Sequence, residues 1–217
     1  MKKLLKPYAL EDHLIPDLIK IARGNWESWY DVYTHSGTIS SNPVLADPHR
    51  FASFLREYSV GRTVLKGKHD EFRRELQGSP EFEEAVRETT GQALDRLEGD
   101  LRPHFGSKEG KNRLISVLSK VAAFVRPERF VAWDQFAKKG LNVVRGHGAS
   151  SPFGTYSEYL AAFDCAWEDQ PGKQIKDCVA RKGAYRAVEH EPRFQRRVLD
   201  VYLMECGGRW SRKARRK

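Results

Sequence analysis

Between Leu114 and Pro127 the apolar residues Leu114, Val117, Leu118, Val121, Ala122 and Val125 recur at spacings of three and four. That spacing lines them along one side of a helix, and Pro127 must end it because its ring clashes with the preceding turn and it carries no N–H. The same period dominates the rest of the chain, and alternating β-branched runs are nearly absent, so the periodicity predicts an all-α fold. With 217 residues, 40% apolar and 31% charged, such a chain can bury a core without staples, which excludes fibrous, collagen-like and wholly disordered classes. We expect a single compact multi-helix domain over residues 1–208, or two helical lobes around a cleft, and a basic, disordered tail over 209–217.

Punctuation places the elements. A first helix is expected over Glu11 to Arg23, stopped by Gly24, and a second over Asn25 to Thr34 with Trp26, Trp29, Tyr30 and Tyr33 on one face. His35 to Pro43 reads as a loop. Asp47-Pro48 is a cap followed by a first-turn proline and opens a helix to about Ser59; Ser79-Pro80 repeats that signal and opens one helix carrying Phe82, Val86, Leu94 and Leu97, ending before Pro103. After a connector, Glu128 to Trp133, Asp134 opens a helix with Phe136, Ala137 and Leu141 inward and Lys138 and Lys139 outward. Further helices are expected over Thr155 to Glu168 and Glu191 to Cys206.

The formal charge of +9 is segregated. Residues 1–170 hold 24 basic and 24 acidic side chains, whereas residues 171–217 hold 14 basic and 5 acidic, so the last fifth carries the whole excess. A positive field of this kind, ending in Arg209, Arg212, Lys213, Arg215 and Arg216, favours a polyanion and gives salt-sensitive binding that does not read sequence. No apolar stretch reaches a membrane-spanning length, and the amino terminus breaks at Pro7 before a signal-peptide core can form, so a cytoplasmic protein with no membrane partner is expected. Cys165, Cys178 and Cys206 cannot all pair and show no zinc-ligand spacing. We expect reduced thiols, no metal and no cofactor.

Chemistry concentrates in Ser119 to Asp134. Lys120 lies in the buried helix, and Asp134 falls at the first turn of the next, where unpaired backbone N–H groups favour the ionised carboxylate. A carboxylate so held can stabilise a sugar cation as a glycosidic bond breaks, and a nearby amine can form a Schiff base with the sugar. Each residue also has a structural reading: Asp134 as an ordinary cap, Lys120 as a snorkelling or phosphate-contacting lysine, the Trp26, Trp29, Tyr30 stripe as core packing, and His147 as a loop histidine.

The run from Gly106 to Leu141 resembles the helix–turn–helix–connector–aspartate unit of the helix-hairpin-helix DNA glycosylase superfamily, in particular divergent bacterial members in which Ser-Lys opens the second helix and Pro-x-x-Phe-x-x-Trp-Asp closes the unit. The resemblance covers about 36 residues of 217, within a hairpin-like unit at about 101–142. It implies that Asp134 is catalytic, that Lys120 occupies the place of a lyase lysine, and that the turn bearing Gly106, Ser107, Lys108, Gly110, Lys111 and Arg113 grips duplex DNA; Lys138, Lys139 and the basic tail are expected, from their charge, to add DNA contacts. Lys120 lies only 14 residues before Asp134, closer than lyase-competent members show, so a monofunctional, water-using reaction is expected. Trp133, Trp26, Trp29, Tyr30, Asn25 and Tyr156 are the candidates for lining a pocket around an extruded base. The expected partner is duplex DNA with one base flipped, the expected state a monomer, and the base open: oxidised, alkylated, deaminated or modified by a virus. The rival reading is a non-catalytic helical nucleic-acid-binding module.

Overall fold

The computed structural model describes residues 10–29, 32, 39, 42–106, 113–150, 153–181 and 187–208, and for Asn25 the backbone only. Among these residues the fold is all-α: α1 (Ile15–Ser28), α2 (Pro43–Ala46), α3 (Pro48–Glu57), α4 (His69–Gly78), α5 (Pro80–Glu88), α6 (Gly91–Phe105), α7 (Ile115–Val125), α8 (Gln135–Val144), α9 (Tyr156–Glu168), α10 (Gln170–Arg181) and α11 (Pro192–Cys206), with 3-10 turns at Gly61–Thr63 and Ala187–His190. No helix among them is long and apolar enough to cross a membrane.

The chain divides into two compact units. The described parts of Met1–Ser28, Trp133–Gly154 and Glu158–Lys217 form one, and Trp29–Ala132 with Thr155–Ser157 form the other.

In the first unit α11 packs against α8, α1 and α10 and buries Phe194, Val198, Leu199, Val201, Tyr202, Leu203 and Met204. Its approach to α8 is backbone to backbone. A Cβ added at Gly140 would sit 1.8 Å from the Leu203 carbonyl oxygen, and one added at Gly207 would sit 1.9 Å from that of Phe136. Only glycine fits either place. Each charge buried here has a partner of opposite sign: fully buried Glu189 accepts from Arg23 Nε at 2.7 Å, buried Asp200 pairs with Arg197, and buried Arg196 donates to half-exposed Asp164 at 2.8 Å with its guanidinium 5.1 Å from the centre of the Phe163 ring. Such pairing is what makes burial of an ion tolerable.

The second unit is organised on a run of rings: Trp29, Phe54, Tyr58 and Phe124 lie within 6.3 Å of one another in successive pairs, continued by Phe51, Phe72 and Phe105. Its helices start as the caps require. Asp47 accepts from His49 N at 2.8 Å, Ser79 from Phe82 N at 3.0 Å and Thr90 from Ala93 N at 3.3 Å. A carboxylate from α6 caps α9: Asp95 Oδ1 accepts from Tyr156 N and Oδ2 from Ser157 N, both at 2.8 Å.

Several boundaries differ from the sequence reading. α1 runs through Gly24, because a helical glycine costs only about 1 kcal/mol and the buried stripe Ile15, Ile19, Ala22, Trp26 continues across it. The helix expected from Ser79 is two, α5 and α6, parted where Thr89 turns left-handed (φ 56°) and Thr90 caps anew. Pro103 lies inside α6: the bond it forfeits would have gone to Gly99, an exposed residue whose carbonyl water can satisfy, while Leu101 and Phe105 bury on either side. Helix α2 begins at Pro43 inside the expected loop, and α4 and α10 were not foreseen.

Candidate functional site

Helix α7 forms where the apolar stripe predicts, with Val117, Leu118, Val121, Ala122 and Val125 all buried. Lys120 is buried with them, 5% exposed, and its amine turns back one turn along its own helix, donating to the Ser116 carbonyl at 3.3 Å and to Ser116 Oγ at 3.2 Å. The long aliphatic stem thus fills core volume while the charged end keeps polar contacts.

Past α7 the backbone tightens at Pro127: Arg126 Nε meets Glu128 Oε1 at 2.6 Å and Phe130 N closes on Arg126 O at 2.9 Å. Phe130 and Val131 are buried. Both backbone groups of Val131 are held by one hydroxyl, since Tyr156 donates its O–H to Val131 O at 2.7 Å and accepts from Val131 N at 3.2 Å.

In the other unit, Trp133 is 7% exposed and stands edge-on to Tyr159, ring centres 5.5 Å apart, with Lys138 Nζ 3.8 Å from the centre of its ring. Asp134 follows in extended conformation and caps α8. Both cap bonds fall on one oxygen: Oδ1 accepts from Phe136 N at 2.8 Å and from Ala137 N at 3.3 Å. The side chain is half-exposed, and Oδ2 accepts no hydrogen bond among the described residues. The result is a carboxylate locked in orientation at the positive end of a helix, with one oxygen left to act.

The remaining candidates scatter. Trp26 is buried against Phe194 in the first unit, while Trp29 is buried in the ring cluster of the second and donates Nε1–H to Glu57 at 2.9 Å. Tyr156 is fully buried on Val131, so its ring offers no face to a base. Arg113 pairs at 3.6 Å with Glu98, itself buried. Gly106 ends α6 in extended conformation, its N–H on Arg102 O. Lys138 and Lys139 are half-buried, and Phe136, expected inward, is half-exposed. Ser107, Lys108, Gly110, Lys111, Tyr30, the Asn25 side chain and the tail with Arg209, Arg212, Lys213, Arg215 and Arg216 lie outside the described residues. His147 lines a groove of about 550 Å³ in the first unit with Asn142, Phe153, Glu158 and Cys165. Among the described residues, no group of three or more His, Cys, Asp or Glu side chains gathers as a set of metal ligands.

Asp95 is a structural participant with no local signal to single it out. It sits mid-helix in α6, and the N–H groups that it holds are about sixty positions away.

Compared with protein-family models, curated proteins and solved structures, the chain matches none.

Proposed function

We propose that this chain is a monofunctional DNA glycosylase, hydrolysing the bond between deoxyribose and a flipped, damaged or modified base and leaving an abasic site. The reading rests on one observation above all: Asp134 spends one oxygen on its helix and leaves the other open on a half-exposed side chain. As the C1′–N bond breaks, its electron pair leaves with the base and positive charge develops on the sugar; the fixed carboxylate stabilises that charge without having to reorganise. Water then adds to C1′, and the proton it loses balances the one taken up by the departing base, which is released neutral. Flipping costs a few kcal/mol and is easiest for a mispaired or altered base, which selects such a base as substrate.

Two further features support the reading. Lys120 is engaged with Ser116 in its own helix, which suits a hydrolytic route better than a Schiff base. The excess of 14 basic over 5 acidic residues in 171–217 supplies attraction for DNA phosphates. A cytoplasmic monomer fits this role.

The buried rings of Trp26, Trp29 and Tyr156 favour a second reading, a helical nucleic-acid-binding protein without catalysis, because none presents a stacking face. The two separate in one assay. Duplexes carrying oxidised, alkylated, deaminated or virus-type modified bases are incubated with the wild-type protein and with Asp134→Asn, and vacated sugars are cleaved with alkali. A glycosylase yields strand breaks that fall at least about 100-fold in the variant with DNA affinity kept. Breaks undiminished in the variant refute the role of Asp134, and no breaks on any substrate leave the binding protein.

A further inference from the structure

Along α3, the following 3-10 turn and the start of α4, the second unit opens a groove of about 800 Å³. Its polar lining is Arg56, Arg62, His49, His69, Ser53 and Ser59, and among the described residues no carboxylate lines it. We infer that this groove seats phosphate oxyanions of the DNA backbone, an inference that rests on DNA being the substrate.

Three observations carry it. First, the arginines are uncommitted. Elsewhere in this unit Arg73 and Arg74 pair with Asp70, Arg87 with Glu84 and Arg96 with Glu88, whereas Arg56 and Arg62 meet no carboxylate among the described residues; Arg56 donates only to Ser53 Oγ, at 3.2 Å. An exposed guanidinium with its fork unused suits two oxygens of a phosphate. Second, the wall is fixed. His69 Nε2 must carry the proton, since its partner at 2.9 Å is the Gly61 carbonyl, and that bond holds the ring in place. Third, Ser59 sits left-handed at φ 54°, where glycine would be easier. Its amide reaches Arg56 O and the next, Val60 N, reaches Leu55 O, so the helix end is built on the motif that usually takes glycine at this place. Keeping a serine there keeps a hydroxyl in the groove, and strained residues concentrate where a ligand is held.

The test is the full-length double variant Arg56→Gln/Arg62→Gln beside the control Arg87→Gln, each checked for an unchanged melting temperature. Affinity for a fluorescent duplex is followed from 50 to 200 mM salt. Losing two phosphate contacts lowers the log–log salt slope by about 1.8, which over this range makes the decline in affinity about tenfold shallower; the control keeps the wild-type slope. A double variant with wild-type slope and affinity overturns the groove while leaving DNA as substrate. If the wild type binds no duplex, the DNA reading falls instead, and inorganic tripolyphosphate decides the groove by calorimetry. Binding to the wild type but not to the double variant supports a phosphate seat served by a small molecule, and binding to neither overturns it.

Discussion

Gly140→Ala isolates the backbone contact on which α8 is held. The new methyl carbon would stand 1.8 Å from the Leu203 carbonyl oxygen and 2.7 Å from its carbon, against an ordinary contact of 3.4 Å or more, so α8 and α11 must part by more than 1 Å. Neither obstacle is a side chain that can rotate away. Overpacking of a core costs about 1–3 kcal/mol, and a clash between two backbones belongs at the top of that range, about 3 kcal/mol. Alanine returns about 1 kcal/mol through its helix propensity, leaving a net loss near 2 kcal/mol. Gly99→Ala supplies the reference, because Gly99 is exposed in α6 and nothing lies within 4 Å of its Cβ position. That variant gains the propensity alone and is about 1 kcal/mol more stable. In a chain of this size each kcal/mol moves the melting temperature by about 2–4 °C, so calorimetry should find Gly140→Ala lower by roughly 4–8 °C and Gly99→Ala higher by roughly 2–4 °C. If the two substitutions move together, in either direction, α8 does not cross α11 in this way, and the placement of Asp134 at the head of α8 loses its support.

Thr89 adopts φ 56° where α5 ends, a conformation that costs a β-branched residue about 1–2 kcal/mol; Thr89→Gly therefore raises the urea midpoint despite glycine's added freedom in the unfolded chain, and a lowered midpoint contradicts the left-handed turn. Burial pushes the Cys206 thiol up to about 11, so at pH 8 roughly one molecule in a thousand carries the thiolate, whereas Cys165 is exposed. Iodoacetamide at pH 8 labels Cys165 first, and mass spectrometry should find Cys206 reacting faster as the pH climbs toward 11; equal rates at pH 8 refute the buried environment.

Much of the fold was legible because its signals are local. The α7 stripe with Pro127, and the Asp47-Pro48, Ser79-Pro80 and Asp134 caps, each declare themselves within a few residues, and the helices begin there. Helix α4 escaped because His69–Gly78 offers only Phe72 and Leu76 as apolar residues; its third buried side chain is Arg73, made tolerable by Asp70, Gln77 and the Leu45 carbonyl. Those partners come from tertiary structure as well as from the helix itself. The break at Thr89 leaves only a weak mark, a Thr90 cap before Gly91, inside an apolar pattern that otherwise runs on through Leu94 and Leu97. At the candidate site, the position of Asp134 at a helix start was readable, but the burial of Tyr156 on Val131 was not, since nothing near either residue announces a partner 25 positions away. The charged groove draws on residues from His49 to His69 whose common wall exists only after folding.

The cap reading and the catalytic reading of Asp134 are two descriptions of one set of bonds. A carboxylate that splits its acceptors between two helix N–H groups has both oxygens tied to the helix; one that takes both bonds on Oδ1 is oriented by them and keeps every lone pair of Oδ2 for another partner. Under the proposed function, capping is the positioning device. Lys120 shows the reverse economy: by residue type it is the more reactive group, but its amine is already engaged by the carbonyl and hydroxyl of Ser116 within its own turn. This difference also dictates the substitution that is informative. Asp134→Ala would remove the charge together with a cap worth about 1 kcal/mol, and α8 would fray at the point under test. Asn keeps an oxygen for Phe136 N and Ala137 N and turns the second oxygen into an uncharged NH2 donor, so a loss of abasic-site formation in Asp134→Asn is assignable to the missing anionic acceptor and not to a lost cap.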